Sequence, residues 1–121
     1  MWSEADTRET AQRRLRKHAA YKARMERRRA EAHAHAEALA RKIGEADDSV
    51  VRIWGFGSAF DIRLPFRESS DIDLAVEGGS TRAWKISRQS PWKVDWVDLA
   101  DQSESMSAAI VESGVMLYER R

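Results

Sequence analysis

Two aspartates separated by a single residue, Asp71-Ile72-Asp73, head an apolar run that continues Leu74-Ala75-Val76. On an extended strand alternate side chains share a face, so both carboxylates point one way while Ile72, Leu74 and Val76 point the other. Aspartate is a poor strand former and neighbouring like charges repel, so the pair calls for a compensating charge. A divalent cation with oxygen ligands is the simplest one. Upstream, the strand formers Val50-Val51-Arg52-Ile53-Trp54 are brought to a stop by Gly57-Ser58. Glycine permits close backbone approach there, and N–H groups in such a turn can cradle phosphate oxygens. A phosphate cradle followed by a carboxylate pair outlines a metal–nucleotide site. From spacing alone, Asp71 as a turn residue and Asp73 as a solvated strand position account for the pattern equally well. A later run, Val94-Asp95-Trp96-Val97-Asp98, places Asp95 and Asp98 on opposite faces, so only one of them can join the pair. A third carboxylate would complete a site for two metal ions, which sit about 3.5–4 Å apart in enzymes that displace groups at phosphorus.

The elements that must position these residues follow from periodicity and punctuation. Residues 3–43 hold no proline or glycine and are rich in Ala, Arg and Glu, which predicts one long helix capped by Ser3 and stopped by Gly44. Its helical stripe runs Ala11, Leu15, His18, Lys22, Met25, Arg29, Ala32, Ala36, Leu39, Ile43, and is apolar without interruption only from Ala32. The second half is therefore expected to pack on the rest of the chain. The first half, with Arg13, Arg14, Arg16, Lys17, Arg27, Arg28 and Arg29, is expected to stay solvated or meet a partner. Strands are predicted at about 50–56, 71–77 and 93–99, with a short apolar last strand at 115–118 on an edge. Between them, a helix from Ser80 through Arg88 carries Ala83, Trp84 and Ile86, and one from Ser103 to Ser113 turns Met106, Ile110 and Val111 inward. The sum is an α+β (α/β) fold: a small mixed sheet of about four strands with helices packed on one face, preceded by a long N-terminal helix. The expected division is a basic helix over 1–45 and a globular domain over 46–121.

Composition narrows the classes of function. A chain of 121 residues has room for one modest core. Without cysteine there is neither disulfide nor thiolate–metal site. No apolar run approaches the ~20 residues of a membrane span, and the first residues lack the basic and apolar segments of a signal peptide, so a cytoplasmic location is expected. The net charge of +1 is divided, with residues 2–45 carrying 12 Lys/Arg against 7 Asp/Glu and residues 46–121 carrying 9 against 13. Charge so divided suits contact with a second subunit or an acidic partner surface. No aromatic residue interleaves Arg27-Arg28-Arg29, which argues against a single-strand nucleic-acid reader. No P-loop or dinucleotide fingerprint occurs. His33 and His35 point about 200° apart on a helix and cannot share a metal. Trp54, Trp84, Trp92 and Trp96 are expected in the core or an interface.

The order Gly57-Ser58, Ser70-Asp71-Ile72-Asp73-Leu74-Ala75-Val76-Glu77-Gly78, then Val94-Asp95-Trp96-Val97-Asp98-Leu99 resembles the nucleotidyltransferase superfamily of DNA polymerase β type. It is most similar to the minimal nucleotidyltransferase (MNT) domains that act as antitoxins beside HEPN-domain toxins, over about residues 37–120. The resemblance implies Gly57, Ser58 and Ser70 at the nucleotide, and Asp71, Asp73 and Asp95 as catalytic ligands of Mg²⁺ or Mn²⁺. It implies ATP or another NTP as substrate, a hydroxyl on the HEPN toxin as acceptor, and no metal role for Asp98. In the family an Arg and a Gly follow the Gly-Ser turn; this chain has Ala59-Phe60-Asp61-Ile62-Arg63, which leaves Arg63 or Arg67 to reach the triphosphate. The rival expectation is a binding module that neutralises its toxin by contact alone.

Overall fold

The computed structural model describes residues 2–121. Helix α1 spans Glu4–Ala46, followed by β1 (Val50–Phe56), β2 (Ile72–Gly78), α2 (Thr81–Ser87), β3 (Val94–Asp98), α3 (Glu104–Ser113) and β4 (Val115–Glu119). The four strands form one mixed sheet in the order β3-β2-β1-β4. β1 runs antiparallel to β2 and β4, while β2 and β3 are parallel, joined by a crossover through α2. The edge position expected of the last strand is the one β4 takes.

Ser3 caps α1 as its sequence promised, accepting from the Asp6 N–H while Asp6 reaches back to the Ser3 N–H at 3.1 Å. This reciprocal pair satisfies two donors that a helix start leaves open. The other end differs from expectation. The helix runs through Gly44 to Ala46, and the Tyr118 ring occupies the space a Cβ at residue 44 would fill. Gly44 thus marks a close approach of helix and strand, not a stop. Asp47 ends the helix, donating its N–H to the Ile43 carbonyl at 2.9 Å. Its buried carboxylate accepts from the backbone and hydroxyls of Ser49 and Ser80. Burial alone would push that carboxyl up, but those four hydrogen bonds outweigh it and hold it far below the usual range. Arg120 completes the joint by donating to the carbonyls of Gly44, Asp47 and Val50.

Burial along α1 begins at Met25 and continues through Ala32, Ala36, Leu39, Ala40, Ile43 and Gly44. The i, i+4 alanines let the helix lie close on the sheet, where Ile43, Val50, Ile53, Ile72, Leu74 and Val76 are fully buried. Each such side chain contributes about 1.5–3 kcal/mol relative to exposure. α2 adds Ala83 to this core, whereas Trp84 is exposed. The helices are not confined to one face. α3 covers the opposite side, where Ile110 packs with Trp54 and Ala75. Only Ile110 of its three expected inward residues is buried; Met106 and Val111 are exposed.

The arginine cluster departs from expectation as well. Arg24 pairs with Glu68 at 3.4 Å, Arg28 lies over the Trp92 ring at 4.6 Å, and Arg29 donates to the Leu64 carbonyl. The C-terminal part of the basic stretch is thereby docked on its own domain. From Trp2 to Arg24 every side chain except that of Thr10 is exposed. His33 pairs with Glu37 while His35 bonds Ser90, so the two imidazoles diverge as their spacing requires.

Candidate functional site

The register of the sheet assembles the acidic residues. Phe56 of β1 stands opposite Asp73 of β2, and Asp73 opposite Asp95 of β3. The C-terminal end of β1 therefore meets the N-terminal ends of β2 and β3, and Gly57 follows directly from that row. Gly57 has φ +73°, and a Cβ there would overlap Asp73 Oδ2. No other residue fits this backbone without strain and displacement of the carboxylate.

Asp73 is half-buried between its neighbours. Desolvation first, then the charges of Asp95 and Asp71, push its carboxyl up to about 6. Asp95 is exposed at the rim. Asp71 precedes β2 and lies 3.5 Å from Lys93 Nζ. Ser58 sits half-buried in the 3-10 turn Gly57–Ala59, whose Gly57 carbonyl accepts from the N–H groups of Phe60 and Asp61. Ser70 closes a turn with Arg67, its hydroxyl accepting the Arg67 N–H at 2.8 Å. Asp98 caps the turn Leu99–Asp101 through a bond from the Ala100 N–H at 2.9 Å.

Two arginines stand elsewhere than a triphosphate clamp would need. Arg63 forks onto Asp61 with bonds of 3.0 and 2.9 Å, and Arg67 has an exposed side chain. Hydrogen bonding by Arg63 holds Asp61 below the usual carboxylate range.

The donor chemistry of Asp71, Asp73 and Asp95 fits a hard divalent cation, which takes carboxylate oxygens. Among the described residues no three His, Cys, Asp or Glu side chains are placed to enclose an ion as they stand. Asp71 faces Lys93, so holding an ion would require that ion pair to open and the carboxylates to turn inward. Beside Asp71 lies an open cavity of about 540 Å³ walled by Arg28, Trp92, Lys93 and Ser70. The sequence pattern put Arg28 on a solvated or partner-facing stretch and Trp92 in the core or an interface, and gave Lys93 no role. Lys93 was recoverable from its place two residues before Asp95, whereas Arg28 arrives from a distant helix and leaves no local signal.

A mixed four-stranded sheet with acidic residues at the meeting of three strand ends, backed by a long helix, defines the class of fold. Solved structures share it. A chain of a mutant of the toxin–antitoxin MntA-HpeT superposes with a TM-score of 0.55 at 21% identity, covering 70% of this chain and 74% of that one. A chain of a toxin–antitoxin structure with AMP-PNP gives 0.56 at 23% identity, with the same coverage of 70% and 74%. No protein-family model matches the sequence, and no curated protein matches it.

Proposed function

We propose that this chain is an MNT-type antitoxin that transfers a nucleoside monophosphate, AMP from ATP, to a hydroxyl on a HEPN-type toxin in the cytoplasm. The observation that carries the reading is Asp73, half-buried against Gly57, whose carboxyl is raised to about 6 by that burial first and then by the charges of Asp95 and Asp71. Three acidic groups in that strained arrangement suit a site completed by cation and phosphate. The shared fold supports it, since the neighbours are toxin–antitoxin structures, one of them with AMP-PNP.

In the reaction the acceptor oxygen attacks the α-phosphorus, the bond to the bridging oxygen breaks, pyrophosphate leaves, and the acceptor loses its proton. Mg²⁺, or Mn²⁺, would supply charge neutralisation on the phosphates and acidify the hydroxyl. Asp71, Asp73 and Asp95 would hold it. Asp95, exposed at the rim, is the carboxylate an incoming hydroxyl meets first. Gly57 keeps the backbone close over Asp73, and Ser58 follows it as the residue expected at the phosphates.

One observation favours a second reading. The Asp61–Arg63 fork ties down the loop after Gly57-Ser58 and occupies the arginine best placed in sequence to bind phosphate. A chain so altered could neutralise its toxin by contact alone. ATP labelled at the α-phosphate, with Mg²⁺ and a HEPN-type toxin as acceptor, separates the two. Label on the toxin, abolished by Asp71→Asn with Asp73→Asn, is the expected result. No transfer by wild type, with full neutralisation by the double variant, would establish contact alone.

A further inference from the structure

The loop that would be expected to bind the nucleotide's phosphates has its arginine engaged with Asp61, yet the acidic site borders unused positive charge. Arg28 has no carboxylate partner among the described residues, and its buried Nε has no hydrogen-bond acceptor. Its guanidinium carbon lies over the Trp92 ring, 4.6 Å from the centroid, a cation–π contact that does not neutralise it. Lys93 is largely exposed, and its one ion pair among the described residues is with Asp71, at 3.5 Å. Both line the 540 Å³ cavity that opens beside Asp71, together with the Ser69-Ser70 turn. Its one other acid, Glu68, is drawn to Arg24 at 3.4 Å. A cavity of this size is within the range of about 300–1,000 Å³ used for small ligands. A guanidinium and an ammonium lining one cavity suit an anion with several oxygens spread along a chain.

We infer that Arg28 and Lys93 form a polyphosphate clamp, in which the long helix supplies the arginine that the loop after Gly57-Ser58 does not. The inference rests on the nucleotide-transfer reading for its biological ligand, and the shared chemistry is that of an NTP tail or free pyrophosphate. The clamp explains why α1 docks through Arg24, Arg28 and Arg29 beside the acidic end of the sheet. It also makes Arg28 a positioning residue, holding the phosphate chain so that the α-phosphorus lies toward Asp71 and Asp73.

Titration calorimetry of the full chain with inorganic tripolyphosphate in EDTA tests the clamp without the carboxylate–metal chemistry. Arg28→Met, which keeps the stem on Trp92, and Lys93→Met should each weaken binding about tenfold, the loss expected for one charged hydrogen bond. Arg27→Met, the same charge change one residue away, should leave it within about twofold. Equal losses for Arg27→Met and Arg28→Met, or no measurable binding by wild type, would overturn the clamp. Circular dichroism of each variant excludes loss of fold as the cause. Repeating the titration with ATP and with pyrophosphate identifies the source: tighter binding of ATP points to substrate, tighter binding of pyrophosphate to leaving product. If Mg²⁺ and the Asp71→Asn, Asp73→Asn pair have no influence on ATP binding while Arg28→Met still does, the transfer reading fails and the clamp stands.

Discussion

Asp73 is a residue whose ionised form the fold tolerates at a cost. Its carboxyl titrates near 3.8 in an unfolded chain and near 6 here, raised by burial and then by Asp95 and Asp71. The folded state therefore binds that proton more tightly, and stability falls as pH climbs from about 4 to about 6, then stays lower. Asp73→Asn removes the penalty. Because the group is only half-buried, solvent screening reduces the gain to about 1 kcal/mol, a shift of a few degrees in Tm. Melts in EDTA should show the variant above wild type at pH 8 and level with it near pH 4. A gap that does not change with pH would show that repulsion and desolvation are not its cause. Millimolar Mg²⁺ should narrow the gap at pH 8 by stabilising wild type alone, as any ligand of the folded state does.

At the scale of elements, the joint between α1, β1 and β4 depends on one side chain. α1 has no basic residue in its last turn, and Arg120 supplies the missing donors from the far end of the chain. Arg120→Met keeps the stem and leaves the Gly44, Asp47 and Val50 carbonyls without these donors. A loss of about 2–3 kcal/mol is expected, read from urea denaturation midpoints at unchanged m-value. What the sequence made legible were the elements whose signals are local. Ser3 as a cap, the helices opening near Ser80 and Ser103, and the alternation through β2 all hold. Local signals also placed Asp73 in β2, with Asp71 one residue ahead of the strand, and the parallel β2–β3 register sets Asp95 beside Asp73. What stayed hidden depends on contacts far apart in sequence: Arg120 beneath the helix end, Tyr118 over Gly44, Asp47 between two serines, and Arg28 beside Asp71. Met106 and Val111 were misplaced because an amphipathic reading assigns a face without knowing how much sheet is there to cover it.

For the whole molecule, burial along α1 sets where the domain begins to depend on its helix. Removing residues 2–22 deletes only exposed or half-exposed side chains and should leave Tm within about 2 °C. Removing residues 2–36 takes away Met25, Ala32 and Ala36 with the Arg28 and Arg29 contacts, and should unfold the chain at room temperature. The shorter truncation should weaken assembly with the proposed toxin partner or a second copy, and that loss should shrink as salt rises, because residues 2–22 carry 6 Lys/Arg against 3 Asp/Glu. Unchanged association across a salt series would show that the arm is not the interface. The same arm also affects how the size of this protein is measured. A compact chain of 121 residues has a radius of gyration of about 14 Å, whereas the exposed stretch of α1 alone extends about 30 Å. Such a rod on a small globe has the drag of a larger particle. On a sizing column a monomer would elute early and pass for a dimer, so its stoichiometry must be weighed by light scattering or sedimentation equilibrium.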